Sequence, residues 1–96
     1  MVKKVLKFSA EWCVPCKLYS KTFHEVSNND LFKNIIFENV DIEENDDLTE
    51  KYKIRSVPTT ILLDENDNVL FTIHGNVSKN MLIEEINNLN NEKCNS

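Results

Sequence analysis

The sequence has no apolar run of the roughly 18 residues that a membrane helix needs, no internal repeat, one glycine and three cysteines. The missing run argues against insertion in a membrane. The opening MVKKVLKF returns to charge at Lys7 before a signal-peptide core can form, so export is not expected either. Positive charge is also in deficit. With 11 basic against 16 acidic side chains the formal charge is −5, which disfavours nucleic acid or an anionic membrane as partner and leaves proteins and small molecules. An odd number of cysteines without an export signal argues against a disulfide scaffold and for a reducing, cytoplasmic location, where a cysteine pair serves catalysis or binds metal. At 96 residues the chain can fold as one domain and is too short for two, so any site must be built on a single small fold, expected as a monomer.

What is present changes period along the chain. Lys4 to Ala10 (KVLKFSA) is short and rich in strand formers. From Pro15 onward Leu18, Thr22, Phe23 and Val26 recur at helical spacing, and proline suits a first helical turn because its missing N–H would have had no partner there. A helix from Pro15 to Ser27 is predicted. NNDLFKN reads as loop or a fragment of helix, and Asn34 to Ile42 as a second strand whose Glu38, Asp41 and Glu43 blunt a sheet edge. Asp47 and Glu50 have capping-box spacing, with Leu48 and Tyr52 on one face of the short helix behind them. TTILL and VLFTI flank the turn formers DENDN, which gives a β-hairpin. Ser78 can cap a last helix with Leu82, Ile86 and Leu89 as its buried stripe, and the polar end over residues 90–96 is expected to fray. The order β-α-β-α-β-β-α requires a right-handed parallel crossover followed by an antiparallel hairpin, hence an α/β fold with a four-stranded mixed sheet covered on both faces.

Cys13 and Cys16 fall where the first strand ends and the first helix begins. A sulfur there meets unpaired backbone N–H groups and the positive end of the helix dipole, which favours thiolate. Such contexts lower a thiol pKa from about 8.5 toward 7, the latter being the value already known for Cys-x-x-Cys proteins of this kind. Cys16, one turn further in, is expected to be the more buried and the closer to neutral. A tetrahedral zinc site would need Cys94, His24 or His74, none of which stands in a second paired motif, so no metal is expected. His24, among Lys21 and Glu25, and His74 at a strand end read as solvated or structural, and Cys94 as an incidental thiol. Gly75, the single glycine, marks a special backbone conformation or a close approach.

WCVPCK resembles the Trp-Cys-x-Pro-Cys-Lys signature of the thioredoxin family. KYKIRSVPTT resembles its cis-proline loop, and HGNVSK the segment whose glycine floors its peptide groove. The likeness runs from Val5 to Leu89. It implies a thioredoxin-like three-layer α/β/α sandwich and a redox-active Cys13–Cys16 disulfide with no bound cofactor. It also implies a cis Val57-Pro58 bond that turns the Val57 backbone toward the dithiol, and a substrate surface of Trp12, Val14, Pro15, Val57, Pro58, Thr59 and Gly75. The implied substrates are protein disulfides, and the implied electron donor is of the thioredoxin reductase type. Lys17 adds a positive charge beside the pair and would favour the thiolate. Two other classes compete: a redox-idle module that clamps a partner enzyme through Trp12, Val57 and Gly75, and a glutathione-dependent, glutaredoxin-like enzyme.

Two departures from the family stand out. Only twelve residues precede Cys13, so the chain looks like a minimal, glutaredoxin-sized version. And Lys7 stands where the family keeps a buried acid beneath the dithiol, while Asn39 replaces the lysine that accompanies that acid. Alternation in KVLKFSA puts Lys7 on the face of Val5 and Ser9. As an ammonium it would favour the reduced form and make the protein a stronger oxidant than the family value of about −270 mV; as a neutral amine it could take the Cys16 proton. The plain alternative is a stem along the sheet with its head in water.

Overall fold

The change of period at the first cysteine is where the backbone turns from strand to helix. The computed structural model describes residues 1–91, with β1 (Lys4–Ser9), α1 (Val14–Ser27), a 3-10 turn (Asp30–Phe32), β2 (Ile36–Asp41), α2 (Asp46–Lys51), β3 (Thr59–Leu63), β4 (Val69–His74) and α3 (Lys79–Asn91). Of the stretch 90–96 expected to fray, Asn90 and Asn91 close α3, and the remainder, Cys94 included, lies outside the described residues.

β1 occupies the middle of a mixed sheet of order β2-β1-β3-β4, parallel to β2 and antiparallel to β3, which pairs antiparallel with β4. A middle strand covered on both faces sends alternate side chains into two cores. Val5 enters the core under α1 and α3 with Tyr19, Phe23, Val26, Leu82 and Ile86. Leu6 and Phe8 enter the opposite core with Val40, Ile61 and Leu63, against Leu48 and Tyr52 of the α2 segment. The three-layer sandwich follows. β2 is an edge strand, as its acids led us to expect, and Glu38 on it is exposed.

Three local expectations need correcting. The stripe of α1 that meets the sheet is Cys16, Tyr19, Phe23 and Val26, whereas Leu18 is 65% exposed. Each helical residue turns by about 100°, so Leu18 lies one step off a stripe that Tyr19 fills. The phase is held by Tyr19, whose hydroxyl pairs with the Thr60 hydroxyl at 2.7 Å inside the core. Burial pushes the Tyr19 phenol up, partly opposed by that bond. The Asp47–Glu50 capping box does not form, because α2 starts at Asp46 with Asn45 as N-cap. The Asn45 amide donates instead to the Asp41 carbonyl at 3.0 Å, and Asp46 and Asp47 remain as first-turn acids at the positive end of the dipole. Lastly, β2 begins at Ile36 rather than Asn34, since the Ile35 N–H closes a turn onto the Phe32 carbonyl at 2.9 Å.

The hairpin and the last helix follow the sequence more closely. Asp64 organises the five-residue connection: its carboxylate accepts the N–H groups of Asn66 and Asn68 at 2.8 and 2.9 Å, and these bonds, that from Asn68 foremost, hold it below the usual carboxylate range. Ser78 accepts the Met81 N–H at 3.2 Å, and Leu82, Ile86 and Leu89 pack inward.

Candidate functional site

β1 ends at Ser9, the Cys13 N–H closes onto the Ala10 carbonyl at 3.1 Å, and α1 then begins with Cys13 itself as N-cap, extended at φ −90° and ψ 108°. Pro15 falls in the first turn, where no N–H is needed. The Cys13 sulfur fills the place a serine or aspartate oxygen usually holds, accepting the Cys16 N–H at 3.2 Å. Cys13 and Cys16 are joined as a disulfide with Cα atoms 5.2 Å apart. Cys16 is the more buried of the two, at 2% exposure, but Cys13 keeps only 5%. Both sulfurs are covered: Ala10 packs with the two cysteines, and Val57 and Ile42 pack against them.

The Val57-Pro58 bond is cis, as the resemblance implied, and the Val57 carbonyl oxygen lies 3.7 Å from the Cys13 sulfur. Gly75 adjoins this loop, its N–H donating to the Pro58 carbonyl at 2.8 Å with φ at 84°. A Cβ on Gly75 would meet nothing within 4 Å, so of the two roles expected for this glycine the conformational one applies and close approach does not. Gly75→Ala is therefore expected to destabilise the fold by about 1–2 kcal/mol through left-handed backbone alone, read as a lower urea midpoint at unchanged slope.

Around the pair, Trp12 and Val14 are 65% and 64% exposed, Pro15 is exposed, and Val57 and Gly75 are half-buried. Pro58 and Thr59 lie beneath this surface, with the Thr59 hydroxyl donating inward to the Ser56 carbonyl at 2.7 Å. The sequence reading missed Leu18 as a surface residue. One helical turn after Val14 on the same side of α1, it extends the exposed apolar rim, and that spacing was the available signal. His24 and His74 are exposed, and among the described residues no three metal-type ligands gather.

Behind Cys16 opens a polar cavity of about 460 Å³, lined by Ser9, Glu11, Lys17, Ser20, Asn39 and Asp41 among others. Ser9 donates to the Asn39 side chain at 2.8 Å. Lys7 lies on the face of Val5 and Ser9 as predicted, only 3% exposed, so the reading that kept its head in water does not hold. Its ammonium donates to the Ser20 hydroxyl and lies 5.4 Å from the Phe23 ring centre. Ser20 in turn donates to the Cys16 carbonyl at 3.0 Å. Burial pushes the Lys7 ammonium below its ordinary value.

A cysteine pair spanning the first turn of a helix, faced by a cis-proline loop and carried on a four-stranded mixed sheet between helical layers, defines the thioredoxin-fold dithiol proteins. Residues 2–88 match the family model described as Thioredoxin, and the chain belongs to the thioredoxin family. It is 39% identical over 84 residues to the thioredoxin of Rickettsia bellii, covering 88% of this chain and 78% of that one. Against Thioredoxin H5 of Oryza sativa it is 38% identical over 72 residues, 75% of this chain, and spans about half, 52%, of the rice protein. Among solved structures, the germline-specific thioredoxin Deadhead of Drosophila melanogaster superposes with a TM-score of 0.79 at 30% identity, covering 90% of this chain and 79% of that one. No helix among the described residues is long and apolar enough to cross a membrane.

Proposed function

We propose that the protein is a thiol-disulfide oxidoreductase that reduces protein disulfides in a reducing, cytoplasmic setting. The observation that carries this reading is the Cys13 sulfur: it caps α1, accepts the Cys16 N–H and is bonded to Cys16. In the reduced protein the same position favours a thiolate. That thiolate attacks one sulfur of a substrate disulfide and expels the other, giving a mixed disulfide. Cys16 then loses its proton and attacks the Cys13 sulfur, the substrate leaves as a dithiol, and the two electrons of the pair have passed to it. The pair is the redox group, and no bound cofactor is called for. An electron donor of the thioredoxin reductase type restores the dithiol.

Exposed Trp12, Val14 and Leu18 give the site an apolar rim suited to protein rather than small-molecule disulfides. The Val57 backbone faces the pair, where an extended substrate segment can add as a short strand. The test is turnover of insulin disulfides with NADPH and thioredoxin reductase, set against glutathione with glutathione reductase. Turnover in the first coupling alone is the expected result. Turnover only with glutathione would make the protein glutaredoxin-like, and none in either would make it a redox-idle binding module.

A further inference from the structure

Among the described residues Lys7 is the one buried lysine, arginine, histidine or acid, and the exchange chemistry above does not use it. It reaches the redox pair through two hydrogen bonds in series: its Nζ donates to the Ser20 hydroxyl, and that hydroxyl donates to the carbonyl of Cys16. Its other close contact is the Phe23 ring. Neither ion pair found among the described residues, Lys4–Asp67 and Lys79–Glu25, involves it. Its strand neighbours are uncharged, Asn39 on β2 and Thr60 on β3. Glu11, Lys17 and Asp41 line the adjoining cavity from the β1–α1 loop, α1 and the end of β2, and Lys21 on α1 and Glu38 on β2 are exposed. Among the described residues, therefore, the Lys7 ammonium has only neutral partners in contact while the pair is a disulfide. Reduction brings an anion to the N-cap of α1, seven residues before Ser20.

We propose that Lys7 is a positioning residue whose charge is coupled to the redox state of Cys13 and Cys16, holding its proton more tightly when the pair is reduced and drawing the equilibrium toward the dithiol. With glutathione as reductant and Lys7 initially neutral, two glutathione thiols supply two electrons and two protons and become glutathione disulfide. The Cys13–Cys16 bond breaks, one proton goes to Cys16 and the other to Lys7, and Cys13 is left as thiolate. Where Lys7 is already an ammonium, the second proton goes to solvent. Coupling is reciprocal: a thiolate that raises the proton affinity of Lys7 is itself stabilised by the ammonium to the same degree. Burial pushes Lys7 below 10.5, and a thiolate at the reduced pair acts in the opposite direction.

The inference rests on the redox reading above, so the experiment uses a couple that needs the dithiol and no protein substrate. Wild type, Lys7→Met and Lys7→Gln are equilibrated with mixtures of reduced and oxidised glutathione, and the dithiol fraction is counted by alkylation and mass spectrometry. Met keeps the stem and removes the charge, while Gln also keeps a donor for Ser20. Both variants should shift the equilibrium toward disulfide by about tenfold, equivalent to about 30 mV for this two-electron couple. The Cys13 thiolate absorbance should titrate correspondingly higher, and the gap from wild type should close as pH rises past the point where Lys7 loses its proton.

Stability gives a further readout. The unfolded chain binds the Lys7 proton more tightly than the folded one, so Lys7 subtracts stability below its folded titration point, and that loss is recovered as pH rises toward 10.5. Lys7→Met should remove this dependence. Wild-type equilibrium and thiolate titration in both neutral variants would overturn the proposal, as would a gap that persists unchanged at alkaline pH. Wild type that poises with glutathione yet fails on insulin would sink the substrate reading and leave this one standing.

Discussion

Cys13→Ser is expected to reduce disulfide turnover to the blank and to leave no covalent adduct with substrate, whereas Cys16→Ser should stop after one exchange and accumulate the mixed disulfide. Exposure does not separate the two cysteines, since both are nearly buried. Position on α1 does. Only the Cys13 sulfur receives a backbone N–H, from Cys16, and sits at the positive end of the helix. A serine hydroxyl can take the same hydrogen bond and keep the cap, so the fold should survive while the nucleophile is lost. Non-denaturing mass spectrometry after incubation with a protein disulfide reads both variants at once. An adduct on Cys13→Ser and none on Cys16→Ser would reverse the roles.

Phe8→Ala should carry the largest stability loss, about 3–5 kcal/mol, out of the 5–15 kcal/mol that holds a domain of this kind together. Phe8 is fully buried on the middle strand and packs edge-on against Tyr52 with ring centres 6.0 Å apart. Its neighbours Leu6, Val40, Ile61 and Leu63 belong to the sheet, so nothing on that side can collapse far enough to fill the space. The helix it anchors, α2, has six residues, too few to persist without tertiary packing. Loss of the ring should therefore loosen the α2 layer ahead of the α1 and α3 layer, with amide exchange around Leu48 and Tyr52 rising first. A urea midpoint within 1 kcal/mol of wild type, by the usual extrapolation, would show that this core repacks. Leu31→Ala, at a site 75% exposed, is the neutral comparison.

The alternation of β1 was enough to place Lys7 on the face of Val5 and Ser9, because a two-residue period leaves only two choices. A helix offers more. Leu18 and Tyr19 are adjacent and both apolar enough to be buried, and what selects Tyr19 is a hydroxyl on Thr60, 41 residues away, which no local pattern contains. The cap of α2 failed for a similar reason. Asn45 and Asp47 are both good capping types, and the choice depends on the Asp41 carbonyl at the end of β2. At the site, residue types announced the chemistry of Cys13 and Cys16 but not their surroundings. Ser20 was never singled out, though it stands one helical turn beyond Cys16, and its part appears only once Lys7 is seen to end on it.

The N–H that Cys13 receives from Cys16 also bears on the direction of travel. A sulfur steadied as an anion departs readily when its own disulfide is attacked, and by the same stabilisation it is a less eager attacker per thiolate. The arrangement that readies Cys13 to open a disulfide thus makes it equally fit to be expelled from one. On the exchange proposed above, the direction of electron flow would then be set by the potential of whichever thiol or disulfide partner is in excess, with the same cap serving both directions.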